Sequence, residues 1–92
     1  MTTPQKPAVV DGSTMRLYRL ITLAQYIRDH GPVSESRLQA WGTIEFGLKS
    51  RTTSAMIKDL HNARIIKANS NIFSITPDGQ KWLNEKAKEN TL

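Results

Sequence analysis

The hydrophobic pattern of residues 50–76, SRTTSAMIKDLHNARIIKANSNIFSIT, changes from a helical repeat to a two-residue alternation within one short stretch. Its first half repeats at the spacing of one helix face, and that face consists of Thr53, Met56, Ile57, Leu60 and Ala63. IIKA and IFSIT then alternate on either side of the turn residues Asn69, Ser70 and Asn71. The stretch therefore predicts a helix followed by a β-hairpin. The hairpin residues expected to face the core are Ile66, Ile72 and either Phe73 or Ile75.

A first helix is predicted upstream of this stretch. Ser13 or Thr14 can cap its start, and Gly31-Pro32 ends it, because glycine adopts the left-handed stop and proline cannot continue the helix. Its apolar stripe comprises Leu17, Leu20, Ile21, Ala24 and Ile27. A second, semi-apolar face carries Met15, Thr22 and Tyr26, with Tyr18 on its border. That face is either ordinary surface or a contact with another subunit.

A second helix is predicted to begin at VSESRL, where Ser34 is a good N-cap and Val33 and Leu38 form a hydrophobic staple,. It continues through Trp41 and Ile44. Trp41 falls on the apolar stripe, so we expect it to anchor the core rather than to stack on a base.

Phe46-Gly47 ends the second helix, and Ser50 is the expected N-cap of the third. A last helix begins at Thr76-Pro77, since threonine caps well and proline suits the first helical position. Its apolar positions are Trp82, Leu83 and Ala87, and it ends in the polar tail KENTL. The whole order predicts a mostly α-helical fold with one small β-hairpin.

Positive charge is concentrated around the third helix. The chain carries 13 Lys and Arg against 8 Asp and Glu, a net charge of +5. Between Leu48 and Lys67 lie five cations and a single anion, Asp59; the cations are Lys49, Arg51, Lys58, Arg64 and Lys67. A clustered excess of this kind is typical of a phosphate-binding surface, whereas a solvated basic helix face is the structural alternative.

The outer face of the third helix has the chemistry of a major-groove surface. Helical projection places Arg51, Ala55, Lys58 and Asn62 opposite the apolar face, with Ser54 and Asp59 at its flanks,. Guanidinium binds guanine or phosphate in a bidentate manner, and a small alanine permits close approach to a thymine methyl group. The helix start also offers free N–H groups to a phosphate.

The length and composition of the chain limit the number of domains and the classes of protein to which it can belong. Ninety-two residues allow one domain, which we place at 13–90 after a flexible tail at 1–12,. The absence of cysteine, of a bilayer-length apolar run and of a signal peptide predicts a cytoplasmic protein without a membrane contact,. So small a core favours a homodimer. The candidate dimer surfaces are Met15, Tyr18, Thr22 and Tyr26 on the first helix, and Trp82 on the last.

The order helix, helix, helix, two-stranded wing, helix resembles that of winged helix-turn-helix DNA-binding domains. The segment SRTTSAMIKDLHNARIIKANSNIFSITPDGQKWL looks like the recognition helix and wing of PadR-like and related archaeal and bacterial regulators, with Thr76, Gly79 and Leu83 matching the turn that closes the wing. The resemblance implies DNA binding by the third helix, the wing and the start of the second helix. The residues it implies are Ser36, Arg37, Lys49, Ser50, Arg51, Thr52, Ser54, Ala55, Lys58, Asn69, Ser70 and Asn71. The wing tip departs from the family in having no Arg or Lys.

Other functions find less support. His30 and His61 lie on different predicted helices without a nucleophile elbow, a phosphate loop or paired carboxylates, so we expect neither an enzyme nor a metal or cofactor site. The expected partner is double-stranded DNA with a palindromic site, bound by a transcriptional regulator. Two alternatives stay open. One is a plasmid partition protein that binds a centromere and spreads along DNA through further self-association, and the other is a winged helix used only for protein contact.

Overall fold

The computed structural model describes the backbone of residues 12–89 and the side chains of residues 15–88. It contains four helices and three short strands in the order α1 (Gly12–His30), β1 (Val33–Ser34), α2 (Glu35–Phe46), α3 (Ser50–Asn62), β2 (Ile66–Asn69), β3 (Ile72–Ile75) and α4 (Pro77–Glu89). The predicted flexible tail lies outside the described residues, except that Gly12 is already helical. Within those bounds no helix is long and apolar enough to cross a membrane.

The predicted start of α1 and the predicted end of α4 need correction. Ser13 and Thr14 lie inside α1 and do not cap it, because the helix already includes Gly12. At the other end of the chain, α4 continues through Glu89, so the first two residues of the predicted tail KENTL are helical. The predicted stop of α1 is confirmed, since Gly31 has a φ of 69° in the left-handed region,.

The core-facing side of α1 is rotated from the predicted stripe. Ile21, Ala24 and Ile27 are buried as predicted, but Leu17 is 38% exposed, and the fully buried Leu23 was not expected. Leu23 follows Arg16 by two helical turns, and Arg16 forms an ion pair with Asp59 of α3,. The side of α1 that carries these two positions therefore faces α3.

The three strands form one antiparallel sheet in the order β1-β3-β2. The predicted hairpin is present, and β1 adds a third strand that sequence analysis did not predict, with Val33 opposite Phe73. In the hairpin Ala68 lies opposite Phe73 and Asn69 opposite Ile72. Phe73 is buried, whereas Ile72 is 40% exposed, because neighbouring residues of a strand point to opposite faces,. The predicted inward position of Ile72 was therefore wrong.

One hydrophobic core joins all the helices and the inner face of the sheet. Its largest fully buried side chains come from different elements, namely Leu23, Ile27, Leu38, Met56, Leu60, Ile66 and Leu83. Trp41 and Trp82 are partly buried and pack against this core, in line with the anchoring role predicted for Trp41. Ile44 was predicted to continue the apolar stripe of α2 but is 84% exposed, and Ala63 of the predicted α3 face is exposed after the helix.

Thr76 and Gly79 fasten the start of α4 to the end of α3. The Thr76 hydroxyl accepts a hydrogen bond from the Gly79 N–H at 2.8 Å, which confirms the predicted N-cap,. It also lies 2.7 Å from the Arg64 carbonyl oxygen, to which it donates. A side chain at position 79 would overlap the Ile65 carbonyl group, so this approach requires glycine. Two residues of the wing-closing motif thus have a packing role, and Leu83 is buried in the core.

Candidate nucleic-acid interface

Helix α3 separates a buried face from a charged, exposed one. The inner face of the helix is buried, as predicted, and consists of Thr53, Met56, Ile57 and Leu60. On the opposite side Arg51, Ala55 and Lys58 are all exposed. Burial of the inner face fixes the rotation of the helix about its axis, and this rotation presents the three outer side chains together to solvent.

The start of α3 differs from the prediction. Lys49, and not Ser50, is the N-cap residue, because its backbone is extended and its carbonyl oxygen accepts hydrogen bonds from the Thr52 and Thr53 N–H groups at 3.0 and 3.2 Å. The Lys49 side chain makes no capping hydrogen bond. Helix N-termini without a side-chain cap attract anions through their free N–H groups and the helix dipole. Lys49 and Arg51 add two exposed cations beside this terminus.

The anion in the charge cluster is neutralised within the protein. Asp59 forms its ion pair with Arg16 of α1, two residues that lie 43 positions apart in the chain. Among the described side chains the other ion pair joins Arg28 to Asp29. The cations predicted to bind phosphate are therefore free of carboxylate partners within residues 15–88, namely Arg37, Lys49, Arg51 and Lys58.

Ser54 is part of a hydrogen-bonded network between α2 and α3. Its hydroxyl donates to the Glu35 carboxylate at 2.8 Å and accepts from the Gln39 amide at 2.8 Å. The side chain is half-buried. Because both hydrogen-bonding roles of the hydroxyl are used, Ser54 is best suited to holding α3 against α2. The network also places the Glu35 carboxylate beside the exposed face of α3.

The hairpin tip is joined to the start of α2. Asn69, Ser70 and Asn71 are exposed, and Ser70 adopts a left-handed φ of 61°, as the predicted turn requires,. The Asn71 carbonyl oxygen accepts a hydrogen bond from the Glu35 N–H at 3.0 Å. Together with the pairing of β1 and β3, this hydrogen bond holds the hairpin tip next to the start of α2.

The first turn of α2 is capped from within the chain. The Ser34 hydroxyl accepts a hydrogen bond from the Arg37 N–H at 3.2 Å, which confirms Ser34 as the N-cap. Ser36 and Arg37 are exposed on this turn. An anion approaching here would therefore meet mainly the Ser36 hydroxyl and the Arg37 guanidinium. Glu35 thus links three predicted binding segments, namely the α2 start, the centre of α3 and the hairpin tip.

Two further exposed cations lie at the base of the hairpin. Lys67 is on the outward face of β2, and Arg64 occupies the connection before it with a left-handed φ of 64°. Both belong to the charge cluster around α3, but neither is among the residues predicted to bind DNA. The alternation of the strand could have indicated Lys67, because it follows the buried Ile66 and so lies on the opposite face of β2,.

The candidate dimer residues fall on two separate surfaces. Tyr18 and Tyr26 belong to a row of aromatic rings between α1 and α2, whereas Trp82 packs against the core from α4. A cleft of about 210 Å³ between α1 and α2 is lined by Thr22, Gln25, Tyr26, Asp29, His30, Trp41 and Glu45. The pKa of Asp29 is lowered by its hydrogen bond from Arg28, with a further contribution from the nearby His30.

The described side chains contain no group of three or more His, Asp or Glu residues arranged to hold a metal ion. No known protein family matches the sequence, and no curated protein matches it either.

Proposed function

We propose that this protein is a winged helix that binds double-stranded DNA at a specific sequence, as a homodimer, and regulates transcription. The observation that carries the proposal is the outer face of α3, where Arg51, Ala55 and Lys58 are exposed together and free of carboxylate partners within the described residues. The opposite face of the same helix is locked into the core. A rigid helix with a basic, small-residue face is the element that major-groove readers insert.

Each part of the surface has a distinct role in this proposal. Arg51 reads guanine or clamps a phosphate, Ala55 allows the helix to approach the base edges, and Lys58 contacts the backbone. The uncapped start of α3, with Lys49, Ser50 and Thr52, receives a phosphate,. Ser36 and Arg37 bind the backbone on the neighbouring strand. Ser54 acts indirectly, by fixing the position of α3 through Glu35 and Gln39.

The hairpin contributes backbone contacts in this proposal. Its tip offers only the amide and hydroxyl groups of Asn69, Ser70 and Asn71, so it does not insert a cation into the minor groove,. Lys67 and Arg64, at the base of the hairpin, provide the charge that the tip lacks. The bond between Glu35 and Asn71 keeps the hairpin in register with the second helix.

The expected site follows from the geometry of a dimer. Two α3 helices related by a two-fold axis enter successive major grooves about 34 Å apart, on a palindrome of roughly 20 base pairs. Each subunit neutralises several phosphates, so the affinity should fall steeply with salt.

Fluorescence anisotropy with DNA from the region flanking the protein's own gene tests the proposal. Arg51→Ala and Lys58→Ala should each weaken binding by about 1–3 kcal/mol, or roughly fivefold to more than a hundredfold. Arg28→Ala is the matched control, because Arg28 is already paired with Asp29. If both α3 variants bound DNA as tightly as the parent and the control, the assignment of α3 as the DNA-reading element would be wrong.

A partition protein that spreads along DNA is the second candidate. Spreading requires a protein contact in addition to the dimer interface, and Ile44, 84% exposed on α2, offers an apolar point for one. A footprinting titration separates the two roles. A single protected palindrome at all concentrations supports the regulator, whereas protection that extends outward as concentration rises supports the partition protein.

A further inference from the structure

The ion pair between Arg16 and Asp59 lies at the edge of the candidate nucleic-acid interface. Thr52, Ala55 and Asp59 follow one another along α3 at spacings of three and four residues, so they form one row on the helix surface,. Ala55 belongs to the exposed face of α3, and Thr52, in the first turn, is also among the residues predicted to bind DNA. Arg16 therefore extends from α1 to the end of a row that begins with two candidate DNA contacts.

The Arg16 side chain stays accessible while it is paired. It is 50% exposed, and the Asp59 side chain is 43% exposed. One terminal nitrogen of the guanidinium donates to Asp59 Oδ2, whereas a guanidinium has five N–H donors arranged in a planar fork. The donors that do not face Asp59 can therefore bind a second anion while the ion pair stays intact.

We propose that Arg16 is a further DNA-binding residue, whose guanidinium donates hydrogen bonds to a backbone phosphate while Asp59 holds it in place. This inference rests on the proposed function, because it takes α3 as the helix that enters the major groove. A mobile arginine side chain loses conformational freedom when it binds a ligand, and one that a carboxylate already fixes loses less. Asp59 thus orders the Arg16 guanidinium before DNA arrives.

A phosphate suits this position better than a base edge. Asp59 lies at the flank of α3 and not on the outer face with Arg51 and Lys58, and the flanks of a helix in the major groove face the sugar-phosphate backbones that border the groove. Hydrogen bonds from a guanidinium to a phosphate are charge-assisted and frequently bidentate. The ion pair as a whole is neutral, so Arg16 acts through these directed hydrogen bonds and not through an excess of positive charge.

A double substitution separates a phosphate contact from the mere neutralisation of Asp59. Arg16→Ala alone removes the contact but also leaves the Asp59 carboxylate unpaired beside the DNA. Arg16→Ala/Asp59→Asn removes both charges, so the pair of positions stays neutral. This double variant should still bind DNA about tenfold more weakly than the parent in fluorescence anisotropy. Its slope of log affinity against log salt should fall by about 0.9, the amount expected for one lost phosphate contact.

The matched control is Arg28→Ala/Asp29→Asn, because it removes the other ion pair of the described side chains. It should leave both the affinity and the salt slope unchanged. Urea denaturation checks that both double variants are folded, and neither should lose much stability, since half-exposed ion pairs contribute little to it. An Arg16→Ala/Asp59→Asn variant that bound DNA like the parent would overturn the inference and leave Arg16 only the role of neutralising Asp59.

Arg51→Ala, measured in the same titrations, separates this inference from the proposed function. If Arg51→Ala weakened binding and Arg16→Ala/Asp59→Asn did not, the proposed function would stand and Arg16 would be excluded from the interface. If both variants bound more weakly than the parent and the control, Arg16 would belong to the interface together with α3. A parent chain that bound no DNA would remove both the proposed function and the role of Arg16.

Discussion

Gly42 of α2 lies directly against Thr53 of α3, so closely that a β-carbon at position 42 would overlap the Thr53 hydroxyl. Thr53 is fully buried, and its hydroxyl has no hydrogen-bond partner among the described residues. The contact sits on the inner side of α3, opposite Arg51 and Lys58. The absence of a side chain at position 42 therefore determines how closely α3 approaches α2.

Gly42→Ala should destabilise the protein even though alanine is the better helix former. Overpacking costs about 1–3 kcal/mol, and the higher helix propensity returns about 1 kcal/mol. We therefore expect a net loss of about 1 kcal/mol in the free energy of unfolding, measured by urea denaturation. Ala40→Gly, on the exposed side of the same helix, calibrates the propensity change.

A double-mutant cycle identifies the cause of that loss. Thr53→Ala removes the atoms nearest the added methyl group, so Gly42→Ala should cost at least about 1 kcal/mol less in that background. Strictly additive changes would mean that the two residues do not limit the helix approach.

Thr76 is predicted to stabilise the junction of α3, the hairpin and α4. Thr76→Ala removes the N-cap of α4 and the bond to the Arg64 carbonyl oxygen, and should lower the free energy of unfolding by about 2 kcal/mol. Thr76→Ser keeps both hydrogen bonds and should cost clearly less. Ser74→Ala, two residues earlier on the sheet, should change stability by less than about 0.5 kcal/mol.

Equal losses in Thr76→Ala and Thr76→Ser would instead assign the effect to the lost methyl group. Equal losses in Thr76→Ala and Ser74→Ala would mean that the hydroxyl at position 76 adds nothing specific. Thermal unfolding of the same variants provides a second measurement.

Local signals predicted the helix ends correctly where a side chain or a glycine acts on its own backbone. Ser34, Gly47 and Thr76 all occupy the expected caps. Ser50 failed because serine suits both the cap and the first helical turn, and the extended backbone of Lys49 decides between them,. The pattern of residue types does not specify whether the backbone of Lys49 is extended or helical.

Features that depend on distant parts of the chain could not be predicted from the pattern. Strand β1 has only two residues and exists because Val33 pairs with Phe73. The outer face of α3 was predictable from the helical spacing of its apolar residues. The hydrogen bond from Ser54 to Glu35 and the ion pair of Asp59 with Arg16 were not, because they depend on how three helices pack. The pattern therefore predicted which charged residues belong to the candidate site. It did not predict which of the polar groups at the site are already bonded to other residues of the protein.

The carboxyl group of Asp29 should report the ion pair in the α1–α2 cleft. Its pKa is lowered because Arg28 donates a hydrogen bond at 2.8 Å and adds positive charge. A lowered folded-state pKa contributes stability above the ordinary pKa of the carboxyl group, and this contribution is lost as pH falls through the folded value. Arg28→Gln should therefore raise the pKa of Asp29, measured by carboxyl NMR titration. Arg37→Gln should leave it unchanged, and equal titration curves in all three proteins would rule out Arg28 as the cause.

Lys67 is predicted to contact a phosphate from the base of the hairpin. Lys67→Ala should reduce the slope of log affinity against log salt by about 0.9, the amount expected for one lost phosphate contact. The loss of affinity should be similar for specific and unrelated DNA, because a phosphate contact carries no sequence information. Arg28→Ala is the control. An unchanged slope for Lys67→Ala would exclude Lys67 from the interface.

Glu35→Gln should strengthen DNA binding, in contrast to every cation variant above. The Glu35 carboxylate lies beside the exposed face of α3, because it accepts a hydrogen bond from Ser54. A unit charge about 7 Å from a phosphate in water is repelled by about 0.6 kcal/mol, or roughly threefold in affinity. The glutamine amide oxygen can still accept the Ser54 hydrogen bond, so folding should be preserved. Glu85→Gln, the same charge change on α4, should have a smaller effect in anisotropy titrations at low salt. An affinity unchanged or lowered by Glu35→Gln would mean that the DNA does not approach the α2–α3 junction.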